Sequence, residues 1–174
     1  MERVTHYEIA GATAFELWRE IAAKGPMSGG RRYAGRTDWD VRWTYGVDRR
    51  AGWCRPTDLR VAATVTTILP DYAPADTASA LARDWAEYLK ALETHERGHR
   101  DIVLEGLGNI RRAIRDVETP ACTALSAEIN RRAQAELVRV RERSEAYDRE
   151  TDHGATQGAE WRSRIPASAA PPPR

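Results

Sequence analysis

Residues 85–99 read Trp-Ala-Glu-Tyr-Leu-Lys-Ala-Leu-Glu-Thr-His-Glu-Arg-Gly-His, and this stretch decides how the rest of the chain is read. Trp85, Tyr88, Leu89 and Leu92 recur at spacings of three and four, which predicts a helix with one buried stripe. The stripe runs into His95 and His99, one turn apart. Histidines at i and i+4 leave the same helix face about 6 Å apart and can take two corners of a zinc tetrahedron. Glu96 lies one residue past the first ligand, displaced round the helix, where its carboxylate suits a zinc-bound water better than the zinc itself. In a chain with four histidines, shuffling produces His-Glu-x-x-His roughly once in a hundred trials. The odds of a real site improve because the motif lies within a predicted helix and on the face that carries Tyr88 and Leu92. Gly98 weakens the helix by about 1 kcal/mol relative to Ala. Its place inside the motif points to a close approach by another part of the chain.

Two histidines leave a catalytic zinc short of a third protein ligand. The first candidate is His153, in Tyr147-Asp148-Arg149-Glu150-Thr151-Asp152-His153-Gly154, where a turn ending in Gly would aim a side chain back at the motif helix. Asp148 and Asp152 stand in the same segment and offer a carboxylate instead, either as ligand or as partner of a ligand imidazole. Glu118, which follows His99 after eighteen intervening residues, is the outlying alternative. Tyr147 is a candidate donor to a developing oxyanion, against the plainer role of a Tyr packed at a helix end.

Outward from the motif, residues 77–117 hold no proline and keep helical spacing through Val103, Leu107, Ile110 and Ile114. Gly106 and Gly108 suggest a break near residues 106–109. A further helix is expected over 121–145, with Cys122, Leu125, Ile129, Ala133, Leu137 and Val140 inward. Upstream, Val4 to Ile9 reads as a short strand. Thr13 and Glu16 form a capping box for a helix that Gly25-Pro26 stops. Residues 28–32 read as a Gly- and Arg-rich loop. Strands follow where Trp39, Val41, Trp43 and Tyr45 alternate, and again from Leu59 to Leu69, with turn-like sequence over 48–56. Trp39, Trp43 and Trp53 are better explained by core packing than by a substrate groove. The order predicts an α+β chain: a small antiparallel sheet, an N-terminal helix, a long motif helix and a C-terminal helix. One domain over 1–162 and a disordered Pro/Ala-rich tail over 163–174 are expected.

Composition narrows the functional classes. Hydrophobic residues are 41% and charged residues 30%, with 27 basic against 26 acidic side chains, so no nucleic-acid footprint is present and no membrane span is expected. Cys54 and Cys122 are far apart and outside any Cys-x-x-Cys. They read equally well as two buried thiols or as a bridge implying an oxidising compartment. The first eleven residues contain no apolar core of a signal peptide, as expected for either an internal protein or a mature exported one.

The Trp85–His99 stretch, the Tyr-Asp-x-x-Thr-x-His-Gly run at 147–154, Gly25-Pro26, Thr37-x-Trp39, Cys54, Leu69-Pro70 and Cys122 together resemble a bacterial family of predicted secreted zinc-dependent proteases, otherwise classed as a domain of unknown function. The resemblance implies a zincin-like α+β fold with Zn2+ as cofactor and a peptide or protein as substrate. His95, His99 and His153 would be ligands and Glu96 the base, with a Cys54–Cys122 bridge and a secreted or periplasmic location. The competing readings are a zinc-binding or partner-binding scaffold without hydrolysis and, less favoured, hydrolysis of a non-peptide substrate.

Overall fold

The computed structural model describes residues 1–165. Its elements in chain order are β1 (Glu2–Glu8), α1 (Ala14–Lys24), β2 (Met27–Ser28), β3 (Arg31–Arg32), β4 (Arg36–Arg50), β5 (Trp53–Asp71), α2 (Ala80–Arg115) and α3 (Cys122–Thr151). Two 3-10 turns follow, Ala155–Gln157 and Arg162–Arg164. The fold is α+β. None of its helices is long and apolar enough to cross a membrane, among the described residues.

Local chemistry explains the first helix. The Thr13 hydroxyl accepts from the Glu16 N–H at 3.2 Å, and the Glu16 carboxylate accepts from the Thr13 N–H at 3.2 Å, a reciprocal capping box. Leu17 and Ile21 face inward, one turn apart. The helix ends at Gly25, where a Cβ would lie 2.8 Å from the Ile21 carbonyl and nearer still to that of Tyr33. The expected loop over 28–32 is a miniature hairpin: Gly29 and Gly30, at φ +56° and +79°, supply the left-handed pair that a two-residue turn between β2 and β3 requires.

The larger sheet has the order β1-β5-β4. β4 and β5 form a hairpin closed at residues 51–52, with Gly52 at φ +88°, so they are antiparallel and extend through the stretch expected to be a turn. β1 joins the other side of β5 in the same direction. At one end the Val65 N–H donates to the Met1 carbonyl, and at the other the Ile9 N–H donates to the Asp71 carbonyl, both at 2.9 Å. The Leu59–Leu69 segment therefore lies in the middle of the sheet, paired on both sides.

Contacts along the chain group into two compact units. The first comprises Met1–Glu2, Trp39–Val65 and His99–Ala146. Its core joins Ile110, Ile114, Val117, Leu125 and Ile129, with Trp39, Val41, Trp43 and Tyr45 half-buried against them. The guanidinium groups of Arg50 and Arg55 lie over the Trp53 ring, 5.6 and 5.1 Å from its centroid. A disulfide joins Cys54 to Cys122, with Cα atoms 5.2 Å apart, and the backbones of Cys54 and Thr119 exchange hydrogen bonds of 2.8 and 3.0 Å beside it. α2 runs unbroken through residues 106–109, contrary to expectation. Gly106 is there because a Cβ would overlap a Val140 methyl group: the glycine admits a neighbouring helix rather than ending its own.

The second unit comprises Arg3–Asp38, Thr66–Gly98 and, among the described residues, 147–165. Leu17, Ile21, Leu69, Trp85, Tyr88, Leu92 and Trp161 form its core. Ring centroids of Trp85, Tyr88 and Trp161 stand 5.1–5.3 Å apart, and the Trp161 indole N–H donates to the Ala14 carbonyl at 2.8 Å. Packing continues past the expected domain end at residue 162: Ser163 and Arg164 complete a 3-10 turn, and Ile165 is buried. The rest of the proposed tail, 166–174, lies outside the described residues.

Candidate metal centre

The apolar stripe of α2 delivers Tyr88, Leu92 and His95 to the interior in succession; His95 and Glu96 are each only 4% exposed. α3 does not stop near residue 145 but continues to Thr151, so Tyr147 and Asp148 are helical. Asp152, His153 and Gly154 then take positive φ values of 48°, 52° and 87°, which ends the helix.

Two rungs connect the helices. Nδ1 of His99 lies 2.6 Å from the Ser144 hydroxyl, and one turn further along α3 the Asp148 Oδ1 lies 3.3 Å from His95 Nε2. One donor atom each from His95, His99 and Asp148 fall within 4.8 Å of one another. Two imidazoles and a carboxylate are a donor set for a divalent cation. Donors bound ~2.0–2.2 Å from a tetrahedral ion stand roughly 3.3–3.6 Å apart, which the His95–Asp148 spacing of 3.3 Å meets. These residues therefore fit a metal ion.

His95 and His99 come together with Asp148, one of the alternatives to His153. His153 is 61% exposed at its side chain, with Nδ1 3.7 Å from the Asp148 Oδ1. Asp152 and Glu118 are exposed and outside the cluster. Tyr147 lies flat on the His95 ring, centroids 5.1 Å apart and planes 13° from parallel. Its hydroxyl presses on Gly98, which is the close approach that the glycine in the motif makes room for. Glu96 turns its carboxylate toward the start of β4, where the Thr37 hydroxyl donates to Oε2 at 2.8 Å and Gly35 leaves space for Oε1.

Other residues of the site carried little signal in sequence. The Gln157 amide oxygen is 3.0 Å from His95 Nδ1, and its amide nitrogen donates to the Tyr147 hydroxyl at 3.0 Å. Thr151 Oγ1 donates to the Tyr147 carbonyl at 2.7 Å and accepts from the Gly154 N–H at 3.2 Å, while Gly154 packs on the His95 ring. Ser144 and Gln157 are polar residues in charge-rich or irregular stretches, where nothing local sets them apart.

Burial works against a charged His95. The Asp148 carboxylate, the Glu96 carboxylate and the Gln157 amide oxygen outweigh it and hold the imidazolium above the ordinary histidine range. A metal ion taking the same nitrogen would have to displace that proton, so binding here would release one.

No curated protein and no solved structure matches the chain. A family model does, over residues 4–154, a span that includes the capped helix α1, Thr37, the His-Glu-x-x-His turn and the Tyr147–Gly154 segment. The chain carrying this His95/His99/Asp148 centre belongs to the family described as bacterial protein of unknown function (DUF922).

Proposed function

We propose that this protein is a zinc-dependent metallopeptidase in which His95, His99 and Asp148 hold the metal and Glu96 is the general base. The observation that carries the reading is the convergence of these three donors, a buried His95 with the half-buried His99 and Asp148, beside a second, separately held carboxylate. A bound zinc would supply Lewis-acid activation of water and of a carbonyl oxygen. Glu96 takes a proton from the attacking water on its carboxylate and passes it to the leaving amine. Thr37 anchors Glu96 Oε2, so the base keeps one orientation while it accepts and releases the proton. Ser144 and Gln157 engage Nδ1 of the two imidazoles, which assigns Nε2 as the metal-facing atom of each. The Cys54–Cys122 bridge supports an exported, oxidising location.

The test is elemental analysis of zinc-reconstituted protein, coupled to hydrolysis of an unfolded-protein or peptide library. About one zinc per chain is expected in wild type and His153→Ala, with loss in His95→Ala and Asp148→Asn. Loss in His153→Ala with retention in Asp148→Asn would make His153 the third ligand. Glu96→Gln should bind zinc and lose hydrolysis. Full hydrolysis by that variant would end the proposed mechanism, and wild type without zinc would end the metallopeptidase reading.

A further inference from the structure

The last rung of the site comes from outside the helices. After α3 the chain turns through Gly154 at φ +87°, makes the single 3-10 turn Ala155–Gln157 and leaves through Gly158 at φ +91°. This turn returns Gln157 to the buried His95 ring. The amide is oriented at both ends. Its oxygen faces His95 Nδ1 at 3.0 Å, and its NH2 donates to the Tyr147 hydroxyl at 3.0 Å. Tyr147 in turn is clamped between the His95 face it stacks on and Gly98. An amide oxygen accepts and cannot donate, so the contact with Nδ1 requires that nitrogen to carry the hydrogen. The lone pair of His95 is then on Nε2, which faces Asp148 Oδ1.

The geometry points to Gln157 as a positioning residue that sets the tautomer and plane of His95 for metal binding, with Tyr147 fixing the orientation of the Gln157 amide. The inference rests on the proposed metal site and deepens it: Gln157 touches neither metal nor substrate and acts through His95. Nothing about its position in sequence suggests this role, because it stands in an exposed turn. That exposure is useful experimentally. Replacing the side chain disturbs no buried core, so the fold should survive.

Zn2+ affinity is measured by competition with a chromogenic chelator for wild type, Gln157→Leu, Gln157→Glu and Tyr147→Phe, alongside thermal melts of the zinc-free proteins. Nitrogen-15 shifts of the His95 ring are recorded in zinc-free wild type and Gln157→Leu at a pH where the ring is neutral. Loss of an outer hydrogen-bond partner of a ligand histidine lowers affinity by about 10- to 100-fold, and Gln157→Leu should fall in that range with an unchanged melt. Gln157→Glu keeps the acceptor and should recover most of the affinity. Tyr147→Phe should fall between. The ring shifts should report Nδ1–H in wild type and a mixture of tautomers in Gln157→Leu. Wild-type zinc binding with equal affinity in Gln157→Leu, or an unchanged tautomer in that variant, overturns the role of Gln157 and leaves the metal site standing. No zinc binding by wild type overturns both.

Discussion

Replacing Gly98 by Ala pits two effects of opposite sign against each other on the motif helix. Alanine is favoured over glycine in a helix interior by about 1 kcal/mol. The added Cβ would lie 2.6 Å from Tyr147 Cε1 and closer to Cζ and Oη, far inside the ~3.5–4.0 Å optimum for carbon contacts. The overlapping atoms are the far end of a half-buried side chain, so the cheapest relief is for Tyr147 to swing away. That movement gives up the stack on His95, about 0.5–1.5 kcal/mol, and the hydrogen bond with Gln157, of similar size. Gly98→Ala should therefore destabilise the zinc-free protein by only about 0–2 kcal/mol, the helix gain offsetting much of the loss. In a Tyr147→Ala background there is nothing to displace, and the same substitution should stabilise by up to about 1 kcal/mol. Urea denaturation of the four proteins in this cycle isolates the coupling, expected at about 1–3 kcal/mol. Equal effects of Gly98→Ala in both backgrounds would refute the reasoning and return Gly98 to being an unexplained weakness in the helix.

Trp161→Ala removes the indole from the Trp85–Tyr88–Trp161 cluster and should cost about 3–5 kcal/mol in chemical denaturation, with cooperative unfolding retained; a cost under about 1 kcal/mol would show that the C-terminal segment does not seal this core. Converting Cys54 and Cys122 to Ala together should lower stability by about 2–4 kcal/mol, because the bridge spans a separation of 68 residues, and mass spectrometry of alkylated wild type should find no free thiol. Glu128 accepts from Arg131 and Arg132, whose guanidinium groups hold its carboxyl down at about 2. Its contribution is thus present above the ordinary glutamate range near 4.5 and is lost as pH falls from there toward 2. Carbon-13 titration of Glu128 should show this low midpoint, and it should rise in high salt or in Arg132→Ala; an ordinary midpoint in wild type would refute the paired geometry.

Much of the first helix and two of the three residues of the metal centre could be read locally. Thr13, Glu16 and Gly25 carry their roles in their own neighbourhood, since a capping box and a helix stop involve residues a few positions apart. The same holds for His95 and His99, whose shared face follows from helix pitch. The C-terminal end of α3 could not be read this way. Its apolar stripe fades after Val140 because the next turns present Ser144, Tyr147, Asp148 and Thr151 to a polar site. A sequence pattern tuned to hydrophobic burial therefore ends the helix six residues early. Gly106 misled for a related reason: a glycine that admits Val140 and a glycine that breaks a helix are the same letter.

The sequence by itself determined the α+β class, the identity of the motif helix, the His–His pair and the reason to look for a carboxylate or a third imidazole in residues 147–154. Each of these depends on spacing within one element. Only the tertiary structure decided that β5 is central and β1 runs parallel to it, that Asp148 joins the two histidines, and that Gln157 reaches back to His95. Those outcomes depend on which elements meet and in what register, and contacts between residues tens of positions apart leave no periodic trace in the chain.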